Sequence, residues 1–328
     1  MSTLNQIIMV NFSVAICTYN GASRLPLVLN KLKEQINTEH FTWEVIVIDN
    51  NSTDNTSQVV LEFQANWPLF CTLKYFFEPK QGLAYARQSA VEKARGEFIG
   101  FLDDDNLPTV DWVASAYDFG CKHPQAGAYG GRIQANFENN PPQDFKKLAL
   151  FLAVIDRGAN AYIYERRKGV LPPAAGLVVR REVWLENVPS QLFLVGRVKK
   201  SMLASEDLEA LVYIQNAGWE IWYNPAMLMY HEIPHWRLEK NYLISLVRGI
   251  GLARHHIRML RLQSWQRPLF FIIYLISDVR RLMIHLWKHK ENINDNLVTS
   301  CELEFLLSSL VSPFYLLWIH KNKEKSYS

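Results

Sequence analysis

Four short apolar runs in the first third of the chain each stop abruptly in polar residues, and each of the first three passes into a stretch of helical spacing. This rhythm restricts the fold more than any other feature. The run "FSVAICTYN" (Phe12–Asn20) leads into "RLPLVLNKLKEQ", where Pro26 is tolerable only in a first helical turn. The β-branched run "WEVIVIDNNSTDNT" (Trp43–Thr56) leads into "SQVVLEFQANW", a helix opened by the Ser/Thr/Asp cluster, with Asp54 as its start residue. "LKYFFEPKQG" gives a third strand, "LAYARQSAVEKARG" a helix closed by Gly96, and "EFIGFLDDD" a fourth strand. Strands alternating with helices of this length predict an α/β fold with a mainly parallel sheet flanked by helices, because parallel neighbours need a crossover connection. Ligands of such sheets gather at the carboxyl ends of the strands, where Thr18 to Asn20, Asp49 to Ser52 and Asp103 to Asp105 all fall.

Three adjacent carboxylates behind a buried strand repel one another, and a divalent cation would offset that repulsion. Asp103 and Asp105, separated by one residue, can be placed around Mg²⁺ or Mn²⁺, with a substrate diphosphate completing the shell; one carboxylate can instead hold a ribose hydroxyl. Asp49 can accept a hydrogen bond from a nucleobase N–H or a ribose hydroxyl. Arg87, on a helix entered through Gly82, can direct its guanidinium at base or phosphate. The plainer alternative is that aspartates after a strand form turns or cap helices. Further on, "SEDLEALVYIQNAGW" (Ser205–Trp219) predicts a helix with Ser205 as N-cap and Gly218 as its end. Glu206 and Asp207 sit in its first turn, where the helix dipole favours acids with or without a catalytic purpose.

The chain has 328 residues, enough for one large domain or two smaller ones. Cys17, Cys71, Cys121 and Cys301 lie far apart without any Cys-x-x-Cys spacing, which argues against a zinc site or disulfide framework and for a reducing, cytoplasmic setting. The first twenty residues show neither a basic n-region nor a small-residue cleavage site, so no export signal is expected. A nicotinamide dehydrogenase would need G-x-G-x-x-G after the first strand, where "CTYNGASRL" offers only Gly21.

The formal charge of +3 hides an asymmetry: residues 236–328 carry about 14 Lys and Arg against about 7 Asp and Glu, leaving the first part acidic. Near Pro234 the pattern changes to apolar segments interleaved with basic residues. "PLFFIIYLIS" and "FLLSSLVSPFYLLWI", flanked by Arg280, Arg281, Lys288, Lys321 and Lys323, are shorter than a bilayer span. They fit helices that lie at a membrane surface or pack on the rest of the protein. Such a basic face suits a lipid-linked or anionic ligand, or a protein partner; nucleic acid is not among the expected partners.

Five blocks, "VAICTYN", "VIVIDNNSTDNT", "GLAYARQSAVEKARGEFIGFLDDDN", "PAAGLVVRREVW" and "ASEDLEALVYIQNAGWEIWYNPAMLMYH", resemble in order and spacing the family 2 glycosyltransferases, inverting enzymes of the GT-A fold. The resemblance covers residues 10–235 as the catalytic domain and leaves 236–328 as a basic, mainly helical region. It implies a nucleotide-sugar donor, most often a UDP-sugar, and a divalent metal, Mn²⁺ or Mg²⁺. Thr18, Tyr19, Asn20, Asp49, Asn51, Arg87, Asp103 and Asp104 would bind the donor. In the aspartate motif the first carboxylate contacts ribose and the last holds the metal, which gives Asp105 as ligand with Asp103, the register between Asp103 and Asp104 staying open. His231 would contact metal or diphosphate, although a histidine ending a strand is also readable as a hydrogen-bonded core residue; His235 is a weaker candidate. The Glu-Asp pair supplies the base, read as Asp207, with Glu206 positioning the acceptor or acting as alternative base. Gly176 in "PPAAGLVV" would leave room for an acceptor sugar, and is equally readable as a turn glycine. The implied activity is sugar transfer to a hydroxyl of a glycan or lipid-linked glycan in polysaccharide biosynthesis, at the cytoplasmic face of the membrane if the C-terminal segments dock there. The alternative is a catalytically weak nucleotide-sugar-binding scaffold in a polysaccharide assembly complex.

Overall fold

A computed structural model describes residues 10–142, 144–198, 203–290 and 296–325. The first part follows the expected rhythm: β1 (Phe12–Thr18), α1 (Leu25–Lys33), β2 (Trp43–Asp49), α2 (Thr56–Ala65), β3 (Thr72–Phe77), α3 (Leu83–Lys93) and β4 (Phe98–Asp103). β1 and β2 are buried along their whole length, which is why they read as unbroken apolar runs rather than alternating ones. Pro26 lies in the first turn of α1, and the Asp54 carboxylate accepts the Thr56 N–H at the start of α2 (3.0 Å). β1 pairs in parallel with both β2 and β4, in registers that set Thr18 opposite Asp49 and Cys17 opposite Asp103. Three polar strand ends therefore lie side by side.

The rest of the sheet is mixed. It comprises β5 (Asn106–Pro108), β6 (Ala126–Phe137), β7 (Tyr162–Ile163), β8 (Val178–Arg180) and β9 (Glu220–Ile233), with α4 (Trp112–Lys122), α5 (Arg181–Asn187) and α6 (Glu206–Asn216) interspersed. Among the described residues the order is β3-β2-β1-β4-β8-β6-β9-β5, with β7 beside β9. β6 and β9 run parallel, whereas β8 is antiparallel to β4 and β6, and β5 is antiparallel to β9. β8 is reached through irregular chain rather than a crossover helix, so it enters against its neighbours. The β5–β9 register sets Asn106 opposite His231, and the Glu232 N–H donates to the Asp105 carbonyl (3.0 Å). That one register brings the aspartate run to the histidine.

Beyond the sheet come α7 (Lys240–Leu260), α8 (Arg267–Lys288) and α9 (Leu297–Lys325). α7 buries Leu243, Leu246 and Val247 with Phe145, Leu148, Leu152, Ile233, Val298 and Cys301 in a second core. α9 lies close against α7: a Cβ on Gly251 would stand 2.0 Å from Ser308 Oγ, and Ser312 Oγ donates to the Leu252 carbonyl (2.5 Å). The two alternatives for this region are thus divided between helices, since α7 packs on the catalytic part while α8 turns an apolar face outward. Ile272, Ile276, Val279, Met283 and Trp287 recur at three- or four-residue spacing on α8, and Trp287 is 83% exposed. Phe314, Leu317 and Trp318 of α9 are exposed as well. α9 runs unbroken through Pro313, so its apolar stretch is longer than the sequence pattern indicates: Leu297–Ile319 is long and apolar enough to cross a membrane by length and composition. The side chains of Lys321 and Lys323 lie outside the described residues.

Candidate active site

Each carboxylate of the aspartate run meets its own arginine, and each arginine comes from a different part of the chain. Asp103, 37% exposed, has Arg87 Nη2 at 3.8 Å. Asp104 is held by Arg24 through two bonds, Nε to Oδ1 (2.8 Å) and Nη2 to Oδ2 (2.9 Å), and Thr18 Oγ1 donates to it as well (2.5 Å). Asp105 accepts from Arg237 Nη2 (2.7 Å) and from Asn106 Nδ2 (3.1 Å). The repulsion that the sequence poses is therefore balanced within the chain itself. Although its side chain opens onto a cavity, the protein packed around Asp103 removes water from the carboxyl and pushes it above the usual range, and the neighbouring Asp105 and Asp104 add to this against the pull of Arg87. For Asp105 burial acts the same way, but the positive charge and hydrogen bond of Arg237 act against it, and the carboxyl lies well below its ordinary value.

His231 is oriented at both ring nitrogens. Nδ1 bonds the Leu152 carbonyl (2.9 Å), which assigns the proton there, and Nε2 receives Arg237 Nη1 (2.9 Å) at 3.6 Å from Asp105 Oδ2. A neutral imidazole with its Nε2 lone pair beside a carboxylate is a donor pair suited to a divalent cation, and the carbonyl on Nδ1 fixes the tautomer such a ligand needs. In this structure a guanidinium occupies the space between the two donors.

The pair at the start of α6 is divided in a comparable way. Glu206 is buried and bonds Arg87 Nη1 (2.6 Å); burial raises its carboxyl, with Arg87 opposing. Asp207 is half-buried and accepts the Ala174 N–H (2.9 Å) and the Leu208 N–H (2.8 Å). It lines a cavity of about 940 Å³ together with Asp103, Arg87, Ala174 and Ala175. Ser205 stands at the N-cap, as expected, but in a left-handed conformation (φ 85°) without a side-chain capping bond. Gly176 lies behind the cavity wall and not on it: a Cβ there would meet Met229 Sδ at 2.9 Å, so Ala174 and Ala175 make the small-residue surface. Asp104 and Asp105 face a second cavity of about 480 Å³, lined also by Arg24 and Arg237.

The remaining predicted donor residues frame the ends of β1 and β2. Asp49 accepts Tyr75 O–H (2.8 Å) and Ser52 N–H (2.9 Å). Asn20 (φ 49°) donates its N–H to Ser52 Oγ and accepts Thr53 N–H, locking the two turns together; the Tyr19 carbonyl accepts from Arg24. Asn51 (φ 64°) is exposed at the same edge, and His235 bonds Glu138 away from the aspartates. Sequence reasoning missed Arg24, Tyr75 and Arg237, whose partners are distant in the chain. It also missed Glu209, which accepts the Phe193 and Leu194 N–H groups and pins that segment to α6.

Residues 13–174 match the sequence profile of Glycosyl transferase family 2. The uncharacterized glycosyltransferase YfnE of Bacillus subtilis is 41% identical over 102 residues, 31% of this chain and 25% of its own length. The Escherichia coli protein WfgD, a UDP-Glc:alpha-D-GlcNAc-diphosphoundecaprenol beta-1,3-glucosyltransferase, is 32% identical over 103 residues, 31% of this chain and 36% of its own length. The chain thus spans only a quarter to about a third of these relatives' lengths. In fold it is similar to the mannosyltransferase PcManGT of Pyrobaculum calidifontis, solved in complex with GDP-Man and Mn²⁺, with a TM-score of 0.59 at 19% identity over 93% of this chain and 87% of that one. Profile and relatives agree that residues 13–174 are a Glycosyl transferase family 2 domain, set in an architecture that the chain shares with PcManGT.

Proposed function

We propose that this enzyme transfers a sugar, with inversion, from a nucleotide-sugar, a UDP-sugar in the first instance, to a hydroxyl of a glycan or lipid-linked glycan in polysaccharide biosynthesis. One observation carries the reading: Asp207 faces the large cavity with its carboxylate oriented by two backbone N–H groups, while Glu206 beside it is committed to Arg87. Of the two acids, Asp207 is the one free to act as base. The names of WfgD and PcManGT, with their UDP-Glc, lipid diphosphate acceptor, GDP-Man and Mn²⁺, support the substrate classes.

The acceptor hydroxyl gives its proton to Asp207 as its oxygen bonds the anomeric carbon from the face opposite the nucleotide. The anomeric C–O bond breaks, and its electron pair leaves with the nucleoside diphosphate. Asp103, open to the cavity beside Arg87, is the carboxylate available to the donor ribose, since both oxygens of Asp104 are engaged by Arg24 and Thr18. Asp105 and His231, with Asp103 near them, would hold Mn²⁺ or Mg²⁺, which supplies positive charge against the departing diphosphate. Arg87, kept charged by Glu206 and Asp103 against its burial, adds a fixed positive group on the cavity side. Asp49 and the Asn20 and Asn51 turns frame the base and ribose end. The enzyme works at the cytoplasmic face of the membrane, touching it through the outward apolar residues of α8 and α9.

Calorimetric titration with UDP, with and without Mn²⁺, tests the donor reading. Metal-dependent binding is expected. Equal affinity in EDTA would remove the metal from the scheme, and no binding in either condition would remove the donor.

A further inference from the structure

The large cavity has a second end. Away from Asp207 it is lined by Arg254 and Arg258 of α7, Arg261 just past the end of that helix, Arg166 of the 3₁₀ turn Arg166–Lys168, and Phe270 and Tyr274 of α8. Among the described residues a single carboxylate serves this group. Asp278 binds Arg254 Nη1 (3.3 Å) and Arg258 through Nη2 (2.9 Å) and Nη1 (2.5 Å). Arg166 and Arg261 bond each other's backbone carbonyls, and Arg166 also bonds Asn216 Oδ1 (2.6 Å). Among the described residues neither is given a carboxylate partner. Two guanidinium planes are braced by rings, Arg254 over Phe305 (5.1 Å) and Arg258 over Tyr274 (4.6 Å).

Four guanidiniums around one carboxylate is an unfavourable concentration of positive charge at a partly enclosed surface. The stress registers on the residues: burial and then Arg258 push the Arg254 guanidinium down to about 10, and burial and then Arg166 lower Arg261. A cluster required only to fasten α7 to α8 would need Arg258 and Asp278 alone. Planar guanidiniums in a fixed array match the oxygens of phosphate, and Phe270 and Tyr274, which line the cavity, lie on the same helix as the outward apolar residues Ile272 and Ile276.

We infer that this end of the cavity binds the phosphate or diphosphate ester of an acceptor that carries a long apolar chain, and so aims the acceptor's sugar at Asp207. The inference rests on the glycosyltransfer reading and names its acceptor class. Arg261 and Arg166 bind the phosphate oxygens together with the outer edges of Arg254 and Arg258, while the apolar chain leaves past Phe270 and Tyr274.

The test uses the full chain with three probes: dodecyl diphosphate, inorganic pyrophosphate and dodecanol. Calorimetry should find dodecyl diphosphate bound at least about tenfold tighter than either of the others, because charge and apolar burial act together. Arg261→Gln and Arg166→Gln, which leave the Asp278 pairs intact, should each weaken that binding about tenfold or more. UDP affinity, measured on the same samples, should not move. Pyrophosphate binding as tightly as dodecyl diphosphate overturns the lipid chain, and undiminished binding by both variants overturns the site. A protein that binds UDP but not dodecyl diphosphate loses this inference and keeps glycosyltransfer. One that binds dodecyl diphosphate but not UDP loses the donor reading instead.

Discussion

Arg237 lies where a metal bound by Asp105 and His231 would have to lie, and that conflict has a measurable size. Its Nη2 is 2.7 Å from Asp105 Oδ2 and its Nη1 is 2.9 Å from His231 Nε2, with the side chain only 17% exposed. A divalent ion can reach both donors only after the guanidinium withdraws, so metal binding must first break a charge-assisted hydrogen bond worth about 1.5–3 kcal/mol net. Arg237→Met keeps most of the aliphatic stem and removes the competing charge. It should tighten Mn²⁺ binding by about 10- to 150-fold, the same energy expressed as an affinity ratio. The metal-free variant should in turn be less stable, because Asp105 is left as a buried carboxylate that has lost its guanidinium partner. Free Mn²⁺ can be followed by electron paramagnetic resonance during titration, and thermal melts with and without Mn²⁺ report the stability. Unchanged or weaker Mn²⁺ affinity in Arg237→Met would refute the reasoning: the ion would then bind elsewhere, or the guanidinium would serve beside it instead of in its place.

Four further outcomes are expected. Asp207→Asn should slow sugar transfer by about two to four orders of magnitude in a nucleotide-release assay while leaving UDP affinity unchanged; full activity there with a dead Glu206→Gln would move the base by one residue. Glu44 is fully buried and is held below its ordinary 4.5 because bonds from Arg95, Lys74 and Ser13 overcome the upward push of burial. Its contribution is therefore complete above pH 4.5 and is lost as the pH falls below that through the depressed folded-state value, so the melting-temperature gap between wild type and Glu44→Gln should narrow on acidification; parallel curves would contradict the pairing. Gly251→Ala forces a Cβ to 2.0 Å from Ser308 Oγ and should cost about 1–3 kcal/mol in urea unfolding, with partial recovery in Gly251→Ala/Ser308→Ala. Flotation with liposomes should show binding to anionic vesicles that weakens as salt screens the Arg280, Arg281 and Lys288 charges; absence of binding at low salt would assign the α8 face to a protein partner.

The parallel half of the sheet was legible because its signals are local. β1 to β4 are apolar runs of strand length, each ended by polar residues, and the helices between them carry their own start and stop signals. The aspartates, Asp49, Arg87 and the Glu206–Asp207 pair could be singled out as candidates because they stand at the ends of those strands and at the start of a helix, and the family resemblance gave them their expected roles. What escaped was whatever depends on register. Nothing in "GASRL" announces that Arg24 will grip Asp104, nor does "PHWRLE" announce that Arg237 will reach Asp105, since both contacts arise only once β5 has paired with β9 and α1 has docked. β7 and β8, at two and three residues, are too short to carry a period. The α8 segment stayed open in the sequence: its apolar spacing fits a helix at a membrane surface and a helix packed on the protein alike, and only its setting shows that the stripe looks outward.

α8 is one rod with two occupations. Its inner side carries Asp278, the anchor of Arg254 and Arg258, while Ile276, Val279 and Met283 face outward within a turn or so of that aspartate. A helix transmits displacement along and across its axis with little loss, so a tilt imposed on the outer residues moves the anchor beneath them. Whatever covers the outer face therefore acts as a lever on the cavity, and the seating of the enzyme and the shape of its acceptor passage become a single mechanical variable.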